Sequence, residues 1–116
     1  MNYISTRGKT APKPFSEVLL MGLAPDGGLM LPESYPQISR GTLDEWRNLS
    51  YPELAFEIMS LFVTDIPADD LRSIVERTYT EAVFNSKEIT PVRMLSDGLK
   101  QSRNYTDRIW HWQKNA

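Results

Sequence analysis

The run Pro25-Asp26-Gly27-Gly28 obliges the chain to turn back on itself, and it sits between two segments of opposite periodicity. Proline presets its own backbone angle, an aspartate bonds readily to nearby amides, and paired glycines permit positive φ. Before the turn, Phe15, Val18, Leu19 and Leu23 recur at helical spacing, with Gly22 as the closing residue and Leu23 placed to fold back on the last turn. After it, Leu29-Met30-Leu31 reads as a buried strand that Pro32 ends, since proline offers no ladder donor. Asn2 to Ser5 reads as a second short strand, with Arg7 and Gly8 changing its direction and a proline-punctuated loop running from Lys9 to Pro14.

Downstream, helices dominate. Thr42 with Glu45 reads as one capping box and Ser50 with Glu53 as a second. The second opens a longer helix with the apolar stripe Tyr51, Leu54, Ala55, Ile58, Met59 and Phe62. A further helix starts near Pro67, where Asp69 and Asp70 oppose the positive end of the dipole. It continues through Leu71, Ile74, Val75, Thr78, Tyr79 and Ala82, ending by about Phe84. Glu88 to Leu95 reads as extended, with Pro91 restricting Thr90 to the β region. The expected architecture is α+β: a small β-sheet with three or four packed helices, because short strands and amphipathic helices interleave without a regular parallel repeat.

The 116 residues have room for one compact domain. The net charge of -2 provides no field to hold a polyanion, so nucleic acid is not an expected partner. With no cysteine and one histidine, thiolate zinc sites, thiol nucleophiles and multi-histidine metal sites are excluded. Neither a secretory signal nor a membrane span is expected near the start, and the default is a cytoplasmic protein. Composition shifts near Leu95: residues 1 to 93 hold 13 of the 15 acidic and 9 of the 13 basic side chains, while Trp110, His111 and Trp112 fall in the last segment. This suggests a domain over 1–95 and a divergent tail over 96–116.

Ile4-Ser5-Thr6-Arg7-Gly8 and Gly22-Leu23-Ala24-Pro25-Asp26-Gly27-Gly28-Leu29-Met30-Leu31-Pro32-Glu33 together resemble the opening of threonine synthase, and the resemblance runs to about Leu95. That family belongs to the fold-type II pyridoxal-phosphate enzymes and converts O-phospho-L-homoserine and water into L-threonine and phosphate. The resemblance implies that Ser5, Thr6, Arg7 and Gly8, with the Asp26-Gly27-Gly28 turn, face the cleft toward a catalytic domain in substrate-side or lid roles, with no catalytic step. On residue chemistry, Arg7 is the leading phosphate ligand, since a guanidinium fork grips two oxygens; a surface arginine at a strand end is the plainer alternative. An ordinary turn likewise competes with a ligand loop at the glycine pair.

The family's cofactor lysine lies in a His-Gly-Pro-Thr-Leu-Ala-Phe-Lys-Asp type segment that is absent here. Lys9, Lys13, Lys87, Lys100 and Lys114 all lack that context. The resemblance therefore implies pyridoxal phosphate for the full-length family but none for this chain alone, which is expected to be inactive without the missing catalytic domain. O-phosphohomoserine is a ligand only in that context. A frameshift, a truncated reading or an engineered end after Leu95 is the expected cause of the departure. Two other readings stand beside this one: a free-standing noncatalytic ligand-binding module, and an interaction fragment whose severed apolar surface self-associates.

Overall fold

The computed structural model describes residues 1–96 and 99–102. Its order is β1 (Tyr3–Ser5), α1 (Phe15–Met21), β2 (Met30–Pro32), α2 (Arg40–Trp46), α3 (Tyr51–Phe62), α4 (Ala68–Thr78), α5 (Glu81–Phe84), β3 (Val92–Ser96) and β4 (Leu99–Ser102). This is the expected α+β architecture, with the strands arranged as two antiparallel pairs: β1 with β2, and β3 with β4. The fifth helix is a single turn. The Trp110–His111–Trp112 cluster noted in the sequence lies outside the described residues.

The core forms where α3 and α4 pack. Phe56, Val63, Leu71, Ile74 and Val75 are buried together, and Phe15 and Leu19 bring α1 onto the same cluster. On α4 every expected core position from Leu71 to Thr78 is buried, and Asp69 and Asp70 occupy its first turn. On α3 the stripe is rotated from the expected one: Phe56 is buried and Ile58 is exposed. Arg72 of α4 covers the outer side of Phe56, its guanidinium 3.9 Å from the ring centroid, so a phenylalanine that reads as off-stripe finds a cationic lid.

The first strand is tied to this core from both sides. Tyr3 packs at a tilt against Phe15 with centroids 5.7 Å apart, and its hydroxyl donates to the Phe62 carbonyl at 3.2 Å. Burial, with the Asp65 charge adding to it, raises the Tyr3 phenol above its ordinary value. The Ser16 amide donates to Asp65 at 2.9 Å, joining the start of α1 to the loop after α3.

Four local expectations are corrected. Ser39, not Thr42, caps α2, accepting from the Thr42 amide at 3.1 Å; the hydroxyl three residues earlier reaches the orphan donor first. The Ser50–Glu53 box does form, with the Glu53 carboxylate accepting from the Ser50 amide at 2.7 Å and the Ser50 hydroxyl at 2.6 Å. Those bonds, led by the hydroxyl, lower the Glu53 pKa. The helix expected to reach Phe84 breaks at Tyr79, because Thr80 takes an extended conformation and its hydroxyl caps a new turn at the Val83 amide; Ala82 is left exposed. Asn85 then closes that turn in the left-handed region, and Ile89 also has positive φ. Residues 88–90 are consequently a turn, and extension begins only at Val92. The fourth correction concerns Leu23, Leu29 and Leu31, which are exposed rather than folded back or buried.

Candidate functional site

Two loops meet at the end of the β1–β2 pair. The register Tyr3↔Pro32, Ile4↔Leu31 and Ser5↔Met30 sets their approach, and the ladder continues one step further through the Thr6 amide to the Leu29 carbonyl at 2.9 Å. The Leu29 amide returns to the Thr6 hydroxyl at 3.0 Å. In the first loop the Gly8 amide closes onto the Ser5 carbonyl at 3.0 Å; in the second the Gly27 amide closes onto Ala24 at 2.8 Å. Ser5, Thr6, Arg7, Gly8, Asp26, Gly27 and Gly28 are thus brought into one cluster, although 17 residues separate its halves in sequence.

Asp26 is the hub. Its Oδ1 accepts from the Ser5 hydroxyl at 2.7 Å and the Gly28 amide at 2.9 Å, while Oδ2 accepts from the Lys9 amide at 2.9 Å. The Ser5 oxygen in turn accepts from the Arg7 amide at 3.1 Å, and Arg7 Nη1 donates to the Asp26 carbonyl at 2.9 Å. The Ser5 bond first, then the Gly28 and Lys9 amides, outweigh partial desolvation and hold the Asp26 carboxyl at about 2. At neutral pH it is an ionised acceptor with its oxygens engaged within the loops, which suits holding geometry and not proton transfer.

The sign of the pH effect follows. With a folded pKa of about 2, below the ordinary 3.8, Asp26 contributes stability that is fully present above the ordinary value and is lost as pH falls through about 2. Carboxyl NMR should show Asp26 titrating near the bottom of the accessible range, and Asp26→Asn should flatten the pH dependence of the urea midpoint over that interval. A titration near the ordinary aspartate value contradicts the hub.

Backbone donors are consumed here. The amides of Thr6, Arg7, Gly8, Lys9, Gly27, Gly28 and Leu29 all donate to loop carbonyls or side chains. An incoming anion would therefore meet side chains: the exposed Arg7 guanidinium, held by one nitrogen, and the exposed Lys9. Lys9 was not singled out as a ligand-side residue in the sequence, where it reads as the start of a proline-punctuated loop and as a lysine without the cofactor context. Its place two residues after Arg7 on the same turn is the signal that could have found it.

A separate cleft of about 270 Å³ lies on α3 and α4, lined by Ser50, Pro52, Glu53, Phe56, Arg72 and Glu76. It shares no residue with the two loops. Among the described residues no group of three potential metal-ligating His, Cys, Asp or Glu side chains occurs, and no described helix is long and apolar enough to cross a membrane.

The fold is thus an α-helical core carrying a short antiparallel ribbon, with an arginine loop locked to a Pro-Asp-Gly-Gly turn. Residues 2–79 match the family model for the threonine synthase N terminus, and the chain belongs to that family. It is 51% identical over 106 residues to threonine synthase of Methylobacillus glycogenes and 50% identical over 104 residues to that of Corynebacterium glutamicum; each match covers 85% of this chain and 22% of the relative. The chain thus spans about a fifth of the length of the curated relatives it matches. The crystal structure of PLP-bound threonine synthase from Brucella melitensis superposes with a TM-score of 0.76 at 35% identity, covering 88% of this chain and 22% of that one.

Proposed function

We propose that this chain is the substrate-side scaffold of a threonine synthase, and that Arg7 meets the phosphate of O-phospho-L-homoserine when the scaffold is joined to a catalytic domain. The observation that carries the reading is the Arg7 guanidinium, pinned by Nη1 to the Asp26 carbonyl and otherwise exposed beside the turn. Pinning one nitrogen removes part of the side-chain entropy that an arginine surrenders on gripping a dianion, and the remaining donors suit a charge-assisted contact with phosphate oxygens. Lys9 adds a second positive charge to the same turn. Ser5, Thr6, Gly8, Asp26, Gly27 and Gly28 hold the arginine in place and take no chemical step.

Pyridoxal phosphate is bound in the Brucella melitensis enzyme, and the α3–α4 cleft of this chain offers it no amine. Lysine is absent from the lining of the α3–α4 cleft, and the Lys13 ammonium is engaged by Glu17 at 2.6 Å. In this reading the cofactor and its lysine come from the catalytic domain, and the scaffold's border lies near Leu95. A cytoplasmic setting belongs to the same reading.

The test is a chimera in which residues 1–95 replace the matched region of the Methylobacillus glycogenes enzyme. Arg7→Ala should lower kcat/KM for O-phosphohomoserine by about 10- to 100-fold, the worth of one charge-assisted contact at about 1.5–3 kcal/mol. Arg7→Lys should recover only part, since the fork is lost.

A further inference from the structure

The β1–β2 ribbon has one face turned into the domain and one turned out, and the outward face is apolar. Tyr3 and Ser5 are 7% and 6% exposed on the inner face. With the period of two along a strand, Ile4 and Thr6 stand on the other side of β1, while Leu31 and Leu29 stand opposite them along β2. Ile4 is 42%, Leu31 41% and Leu29 58% exposed, and Leu23 at the far stem of the Ala24–Gly28 loop is 61% exposed. Three large aliphatic side chains on a ribbon of three-residue strands, with Leu23 at the stem of the adjoining loop, form a patch rather than scattered surface leucines.

We propose that this outward face, Ile4, Leu29 and Leu31 with Leu23, is the surface on which the catalytic part of a threonine synthase polypeptide docks. The inference rests on the scaffold reading above. Two observations select that occupant over a second copy of this chain. This chain covers 22% of the matched relatives, so more than three-quarters of their polypeptide lies outside the match, and that polypeptide must meet the domain somewhere. The ribbon that carries the patch also leads into the Arg7–Asp26 cluster, through the Leu29 amide bond to the Thr6 hydroxyl, so a body seated on it borders the arginine loop.

The full 116-residue chain is titrated, by sedimentation and fluorescence anisotropy, against the Methylobacillus glycogenes enzyme lacking its matched segment and loaded with pyridoxal phosphate. The wild-type chain should bind, and Ile4→Glu with Leu31→Glu should weaken binding at least about 30-fold, as burying an unpaired charge demands. Leu29→Glu alone should weaken it about 10-fold or more. Leu43→Glu, on the exposed side of α2, should leave it unchanged. The double variant's own melting temperature should stay within about 8 °C of wild type, since cross-strand pairs contribute little by themselves. Equal binding by wild type and double variant overturns the proposal. So does a wild-type chain that binds only itself and loses that self-association in the double variant. An Arg7→Ala chimera with full kcat/KM sinks the phosphate role without touching the docking result, so the two failures are distinguishable.

Discussion

Gly28→Ala is expected to destabilise the domain by about 3 kcal/mol, combining overpacking with a broken charge-assisted hydrogen bond. A Cβ at Gly28 would sit 2.3 Å from the Ser5 hydroxyl and 3.0 Å from both Asp26 Oδ1 and the Thr6 hydroxyl. The nearest of these atoms has little room to retreat: Ser5 is buried, and its oxygen bridges Asp26 and the Arg7 amide. The methyl must separate β1 from the turn or drive Ser5 off Asp26. Thermal unfolding should drop by more than about 10 °C, and the Asp26 carboxyl should move up toward the ordinary aspartate range as its Ser5 bond is lost. Gly27 is a different case. A Cβ there meets the Arg7 guanidinium at 2.8 Å, and its φ of 78° is one that side chains rarely adopt; the arginine tip can swing aside, so that change would displace Arg7 and strain the turn's backbone.

Leu71→Ala should cost about 3 kcal/mol, the usual price of a cavity in a packed core. Leu71 is 1% exposed and lies in the cluster with Phe56, Val63, Ile74 and Val75, so its removal opens the α3–α4 contact on which α1 also rests. A small domain has a margin of about 5–15 kcal/mol, and the urea midpoint should fall markedly at unchanged slope. Ile58→Ala offers the internal contrast. The sequence stripe placed Ile58 with the core, whereas it is 39% exposed; its truncation should cost under about 1 kcal/mol. Equal costs at the two positions would mean that the α3 rotation described above is wrong.

Where sequence reading succeeded, local chemistry decided the outcome. The α4 stripe was legible because its apolar positions follow one helical face, and the Ser50–Glu53 box because both partners lie within one turn. The ribbon was legible because Pro-Asp-Gly-Gly and Pro32 bound a short apolar strand. Where it missed, a competing local bond or a tertiary neighbour won. Ser39 outcompeted Thr42 as a cap, and Thr80 broke a helix whose apolar period ran on through Ala82. Phe56 is buried because Arg72 reaches over it, a partner 16 residues away that no window reveals. At the candidate site the residue set was legible, but its logic was not. Asp26, read as facing a ligand, spends its carboxylate on Ser5, Gly28 and Lys9, and the loop amides are engaged within the loops in the same way. Exposure of Ile4, Leu29 and Leu31 was equally hidden, because a short apolar strand reads as core whether it is covered by its own domain or by another.

The most direct measurement of the central claim is phosphate release from O-phosphohomoserine by the Methylobacillus glycogenes chimera and its Arg7→Ala variant, with the 116-residue chain and pyridoxal phosphate alone as the reference. The scaffold account requires turnover by the chimera, a kcat/KM about 10- to 100-fold lower in the variant, and none from the chain by itself. Release of phosphate by the isolated chain, or an Arg7→Ala chimera as efficient as its parent, would contradict it.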